Sequence, residues 1–285
     1  MRALFAVVVA ALAVGLLGGS AGGVRRTVPQ FDHVLVVVLE NKTQSQVLGN
    51  RRAPRFNALA RRYAILSRYD GVAHPSLPNY LALISGSTHG VRSDCVGCVV
   101  SARNLADTLE RASLGWKAYA EGLPRAGFTG AFAGLYAKKH MPFLYFRDVL
   151  ADPERRRLVV PLERLPRDLA AGSLPAFSLI VPNLCHDMHS CPVAVGDAWL
   201  GRFLTPLLRS PKLAQSVVFV VTDESSDLSS RGPVPALALG PLVVPGSRYA
   251  AATSHYGLLR TIEDALGLQR LGRSARARPI TGIWR

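Results

Sequence analysis

Residues 33–39 read HVLVVVL, a histidine followed by six aliphatic positions without a polar break. A short β-branched run with no alternation predicts a strand buried on both faces, the kind found in parallel sheets. Residues 217–222 (VVFVVT) repeat the pattern. Residues 177–181 predict another strand, closed by Pro182, and residues 116–119 a short one. Residues 234–239 predict a further strand whose start is weakened by Pro233 and Pro235, since proline cannot donate to a ladder. Helical patterns fall between these runs, at residues 55–63, 78–85, 104–113, 197–208 and 256–266. Leu105 and Leu109 share one face of the third, and Gly115 lies just beyond its end; Gly267 closes the fifth. Buried strands alternating with amphipathic helices predict an α/β domain with a mainly parallel central sheet. In such sheets ligands collect at the carboxyl ends of the strands. No fixed-period repeat is visible, which excludes solenoids and propellers.

The N-terminus has a different pattern. Met1-Arg2 precedes an apolar run over residues 3–18 and a cluster of small residues. One positive charge, an apolar stretch and small residues predict a signal peptide over residues 1–21, with cleavage after Ala21. The run is shorter than the roughly twenty residues of a spanning helix. Residues 22–285 are then expected as one secreted domain. The first cysteine is Cys95, so no lipid-modified cysteine follows the signal. Export makes disulfides natural for Cys95, Cys98, Cys185 and Cys191, though sequence alone permits three connectivities. The spacing of the second pair disfavours a zinc ribbon.

Composition narrows the partners. The chain has 285 residues, 49% of them hydrophobic, which excludes a mostly disordered polymer. Its 34 Lys+Arg against 19 Asp+Glu give a net charge of +15. Arginine is spread along the whole chain, giving a solvated basic surface. That surface favours phosphorylated substrates and peripheral contact with anionic membranes. No nucleic-acid motif is present, and no nucleic-acid partner is expected. A monomer is expected.

Candidate chemistry sits at strand ends. One buried strand finishes at Glu40-Asn41 and the other at Asp223-Glu224. Three carboxylates and an amide oxygen could form an oxygen-rich cation site, although Asp and Asn also cap helices routinely. Ser76, in His74-Pro75-Ser76-Leu77-Pro78-Asn79-Tyr80, lies just ahead of an expected helix. It is either a helix cap or a nucleophile using backbone amides to hold a phosphate. Asp187 and His189, after the strand at 177–181, could serve proton transfer or metal ligation, and His140 and His255 are further candidates. No Gly-x-Ser-x-Gly elbow, P-loop or Gly-x-Gly-x-x-Gly occurs, which disfavours those hydrolase and nucleotide-binding routes.

Taken together, these segments resemble the bacterial phosphoesterase family of secreted acid phosphatases and phospholipase C-like enzymes. The resemblance runs from His33-Val34 to Glu40-Asn41, then through His74-Pro75-Ser76 to Asn79-Tyr80, and Trp116 to Glu121. It continues through Tyr136 to His140, Val181 to His189, Gly196 to Leu200, Asp223-Glu224, Ser254-His255-Tyr256 and Pro279 to Trp284. It implies an alkaline-phosphatase-like three-layer α/β/α fold. It also implies one divalent ion (Ca, Mg, Mn or Zn) held by Glu40, Asn41, Asp223 and Glu224. Ser76 is the implied nucleophile. Lys139, His140, Asp187, His189 and His255 are implied to line the phosphate and leaving-group side, with His74 and Asn79 joining Lys139 in substrate binding. The implied activity is hydrolysis of phosphate monoesters, phosphoinositides among them. The alternatives are a phospholipase C-type diesterase and a secreted binding protein with a decayed site. The chain departs from the family pattern at His186, Ser190, Thr222 and Ser225-Ser226. The departures at Ser190 and Ser225-Ser226 reduce negative charge near the expected site.

Overall fold

The structure is a computed structural model that describes residues 27–285, so the expected signal peptide lies outside the described residues. In chain order the strands are β1 (His33–Leu39), β2 (Ala64–Leu66), β3 (Tyr69–Asp70), β4 (Trp116–Ala120), β5 (Phe132–Ala133) and β6 (Tyr136–Ala137). They continue with β7 (Val159–Pro161), β8 (Phe177–Val181), β9 (Ser216–Thr222), β10 (Ala236–Leu239), β11 (Arg248–Tyr249) and β12 (Thr253–Ser254). The α-helices are α1 (Gln44–Val47), α2 (Pro54–Arg62), α3 (Ser76–Ser85), α4 (Leu105–Arg111) and α5 (Arg147–Ala151). After these come α6 (Pro153–Arg156), α7 (Arg164–Ala171), α8 (Val193–Arg209) and α9 (His255–Leu266).

Eight strands form one sheet in the order β11-β2-β10-β9-β1-β8-β4-β7. Its pairings are parallel except where β10 meets β9 and β2. Every residue of β9 is buried, as is every residue of β1 after His33. Successive side chains of a strand point to opposite faces, so both faces of the sheet centre are covered. Helix α2 packs on α8 and α3 packs on α9. This is the three-layer α/β/α arrangement that the uninterrupted apolar runs imply.

Local differences from the sequence reading have physical reasons. β10 starts at Ala236, two residues later than expected, because Pro233 and Pro235 cannot extend the ladder. Helix α3 starts at Ser76 rather than residue 78, with Pro75 as its N-cap. Ser76 is therefore the first residue of the helix and not its cap. Helix α8 begins at Val193, ahead of the expected residue 197. The cysteines pair locally, Cys95 with Cys98 and Cys185 with Cys191. Among the described residues no helix is long and apolar enough to cross a membrane.

Candidate active site

The parallel register of β1 and β9 ends with Leu39 opposite Thr222, so Glu40 and Asp223 leave the sheet side by side. The Asp223 N–H donates to the Leu39 carbonyl at 3.0 Å. The Asn41 N–H donates to Asp223 Oδ1 at 3.1 Å. Asn41 adopts φ +50°, a left-handed turn that Asn tolerates better than most residues. One carboxylate oxygen from each of Glu40, Asp223 and Glu224 lies within 4.8 Å of the others.

Several oxygens here are buried without a hydrogen-bond partner: Glu40 Oε2, Asn41 Oδ1, Asp187 Oδ2 and Asp223 Oδ2. Orphaned buried oxygens are costly. An all-oxygen donor set of this kind suits a hard divalent cation, so Glu40, Asn41, Asp223 and Glu224 fit one. The ionisation pattern reflects how closely these carboxyls are crowded. Burial pushes the Asp223 carboxyl up, and the charges of Glu40 and Glu224 push it further. Burial and then Glu40 raise Glu224 as well. Burial would also raise Glu40, but the neighbouring His140 and Lys139 charges hold it well below the carboxylate range.

Ser76 enters this cluster from α3. Its hydroxyl donates to Glu40 Oε1 at 2.7 Å, and Glu224 Oε1, 3.2 Å from the same oxygen, is a second acceptor within reach of that one proton. Lys139 Nζ stands 3.4 Å from Ser76 Oγ. The same ammonium donates to Asp94 Oδ2 at 2.9 Å, while Asp94 Oδ1 accepts the Leu77 N–H at 2.9 Å. Asp94 thus ties the first turn of α3 to Lys139. It was not singled out from sequence, because an aspartate in a polar loop before Cys95 carries no local signal.

His140 is buried, stacked on Tyr80 with ring centroids 5.0 Å apart. Its Nε2 is 3.4 Å from Glu40 Oε2 and its Nδ1 is 3.5 Å from Asp187 Oδ2. Burial alone would lower its pKa, but Glu40 and Asp187 raise it to about 9. His189 is different. Its side chain is 34% exposed, with Nε2 3.9 Å from Glu40 Oε1. Asp187 fixes the adjacent backbone by accepting the His189 N–H at 2.7 Å. Of the two rings, His189 is the one open to an incoming molecule.

The remaining expected residues lie around this centre with their polar atoms engaged. His74 Nδ1 pairs with Glu224 Oε2, and its Nε2 faces the Ser230 carbonyl at 3.2 Å. Asn79 Oδ1 accepts the N–H groups of Val72 and Ala73, while its amide donates to the Ala73 and Pro75 carbonyls. Asn79 therefore clamps the turn before Ser76 and has no hydrogen-bonding capacity left for a substrate. His255 is buried at the start of α9, with Tyr69 Oη on Nδ1 and the Asp223 carbonyl 2.6 Å from Nε2. Burial lowers its pKa to about 4. It braces the backbone of Asp223 from behind and does not line the leaving-group side, which corrects the expectation for this residue.

Comparison with known proteins gives the family and the fold. The family model described as the Phosphoesterase family matches residues 46–269. Phosphatidylinositol-3-phosphatase of Mycobacterium tuberculosis is 37% identical over 97% of this chain and 93% of its own length. The phosphate-repressible acid phosphatase of Penicillium chrysogenum is 31% identical over 85% of this chain, which spans 61% of that longer protein. Among solved structures, an alkaline-phosphatase-superfamily protein from Vibrio parahaemolyticus matches with TM-score 0.63 at 14% identity, over 88% of this chain and 71% of the other. Phosphonate monoester hydrolase from Silicibacter pomeroyi matches with TM-score 0.57 at 13% identity, over 89% and 78% of the two chains. These structural likenesses concern the fold.

Proposed function

This chain belongs to the phosphoesterase family, and on that premise we propose that it is an exported phosphatase of phosphate monoesters with Ser76 as nucleophile. The observation that carries this reading is the contact of Ser76 Oγ with two carboxylates of the cation-suited cluster and with Lys139. Glu40, Asn41, Asp223 and Glu224 would hold one divalent ion, which when bound neutralises phosphoryl oxygens and makes a nearby hydroxyl easier to deprotonate.

Lys139 binds and orients the phosphoryl group beside Ser76. Ser76 Oγ attacks phosphorus in line, forming an Oγ–P bond as the bond to the leaving oxygen breaks. The Ser76 proton passes to a neighbouring carboxylate, and His189 protonates the leaving oxygen. Water then attacks the phosphoserine, passing a proton to His189 and releasing inorganic phosphate, while the proton held by the carboxylate returns to Ser76 Oγ. His140 stays buried and neutralises Glu40 and Asp187 instead of trading protons with the substrate. Phosphoinositides are the proposed substrates, supported by the name of the Mycobacterium relative and by the +15 charge of the chain. Export by the segment at residues 1–21 accords with two disulfides in the described residues.

The test is phosphate release from an aryl phosphate across pH by the purified protein, beside Ser76→Ala and with a chelator. Activity that falls by at least about 10³-fold in Ser76→Ala supports the assignment. Equal inertness of wild type and variant at every pH and with every metal refutes it.

A further inference from the structure

Among the described residues most large apolar side chains are buried, and four of the seven exposed ones lie on two neighbouring segments. Phe132 is 60% exposed and Leu135 47%, the first on β5 opposite Ala137 and the second in the turn between β5 and β6. Val96 and Val99 are each 47% exposed, in the loop of the Cys95–Cys98 disulfide. The two segments touch: Lys138 Nζ donates to the Val96 carbonyl at 2.9 Å.

The hairpin is tied to the body of the domain at several points. The Phe128 ring meets buried Tyr136, paired with Ala133 beside the turn, edge-on with centroids 5.9 Å apart. Gly134, at φ +56°, makes the tight turn. The Leu135 carbonyl accepts the Leu184 N–H at 3.0 Å, tying the tip to the loop that carries Asp187 and His189. Directly after β6 come Lys138, Lys139 and His140. The hairpin therefore runs directly into Lys139, the residue proposed to bind the phosphoryl group.

We infer that this apolar hairpin is a membrane-docking surface, which inserts Phe132 and Leu135 into an anionic lipid surface and brings the cleft to a lipid headgroup. Charge complementarity favours a bilayer as the occupant. From Gly122 to Arg147 the chain carries no Asp or Glu, while Arg125 and Arg147 are exposed and cationic. Short apolar insertions become effective anchors when paired with basic residues attracted to anionic headgroups. The inference builds on the phosphatase reading and specifies how that site meets a lipid substrate. It is tested separately from that reading.

The experiment compares wild type with Phe132→Ser/Leu135→Ser. Both side chains are solvent-exposed and lie outside the catalytic cluster, so the fold and release of phosphate from a soluble aryl phosphate should persist. Sedimentation with vesicles of neutral phosphatidylcholine, alone or mixed with an anionic phospholipid, measures docking. Wild type should bind the anionic vesicles, more weakly at high salt, and the variant should bind about tenfold or more weakly. Phosphate release from a phosphoinositide in those vesicles should fall in parallel. Equal vesicle binding by the two proteins would overturn the inference, as would wild type that ignores anionic vesicles. A wild-type dimer that the double variant dissolves would also overturn it, reassigning the hairpin to a second copy of the chain. Loss of soluble aryl-phosphate activity in wild type itself would count against the phosphatase reading, and vesicle binding would still decide this one.

Discussion

The Ser76 hydroxyl donates to Glu40 Oε1 across 2.7 Å, joining the first turn of α3 to the end of β1. The proposed nucleophile and a proposed cation ligand therefore share one hydrogen bond, and whatever charges or discharges the acidic cluster is felt at Ser76.

Cation binding should be visible as stability. Without a cation, the raised pKa values of Asp223 and Glu224 mean that protons stay bound in the folded state at pH values where the unfolded chain has released them. Without the ion, these two groups therefore contribute stability that is lost as pH rises above the ordinary carboxylate range, opposite in sign to the contribution of Glu40. A divalent ion that replaces those protons should bind more tightly at pH 7 than at pH 5. At a concentration of a hundred times Kd it should stabilise the fold by about 2.7 kcal/mol. Thermal melts with and without metal at the two pH values measure this, and Asp223→Asn should abolish the metal-induced shift. An identical melt with every divalent ion tried would refute the site.

Asp94→Asn separates charge from capping. The amide oxygen can still accept the Leu77 N–H, but its NH₂ group would face Lys139 and cannot pair with an ammonium. Phosphate release should fall by about 10- to 100-fold through misplacement of Lys139, with little change in melting temperature. In a Lys139→Met background the same substitution should cost almost nothing further. Equal losses in both backgrounds would show that the two residues act apart.

Glu263 offers a pH signature far from the cluster. It is fully buried, and burial raises its pKa from 4.5 to about 7. The hydrogen bonds fit a neutral acid: Glu263 Oε1 accepts the Leu271 N–H at 2.8 Å, Ser274 Oγ lies 2.6 Å from Oε2, and Ser274 can donate onward to the Leu271 carbonyl at 2.7 Å. Below pH 4.5 both folded and unfolded forms are protonated, so the group contributes no pH dependence. Between 4.5 and 7 only the unfolded chain ionises, and stability falls by about 3 kcal/mol in all. Denaturant melts on Glu263→Gln should lack that decline, and an unchanged profile would show that Glu263 ionises normally.

Asp197 belongs to the family-like segment Gly196 to Leu200, yet its carboxylate serves packing. From α8 it accepts the Arg55 N–H at 3.2 Å and the Phe56 N–H at 2.8 Å, capping α2, whose own N-cap Ala53 offers no side chain for the purpose. Asp197→Ala should cost about 2 kcal/mol of stability and leave turnover of a soluble substrate unchanged at temperatures where the variant is folded. A large drop in turnover with no drop in stability would contradict the capping role.

How far the sequence could be read follows from where each signal is stored. The strand ends at Glu40 and Asp223 were legible because apolar runs end abruptly in acids, and a parallel register then has to bring them together. The antiparallel course of β10 was not legible, because a four-residue buried strand has the same pattern in either direction. Short strands such as β2, β7 and β11 depend on neighbours distant in sequence. His255 and Asn79 looked chemical because of their residue types, but what occupies their polar atoms is backbone from other segments, which no local pattern records. Asp94 failed in the opposite sense: its partners, Leu77 and Lys139, lie 17 and 45 residues away.

The two disulfides close very small loops, with separations of three and six residues. Neither staples the core. By chain-entropy reasoning each would contribute only about 2 kcal/mol to the fold, so a reduced chain should still assemble its sheet. What the crosslinks restrain is the rim of the cleft, since one follows Asp94 directly and the other encloses Asp187 and His189. Reduction should therefore loosen that rim first and leave the sheet assembled, so that the two crosslinks act on the precision of the site and hardly on whether the chain folds.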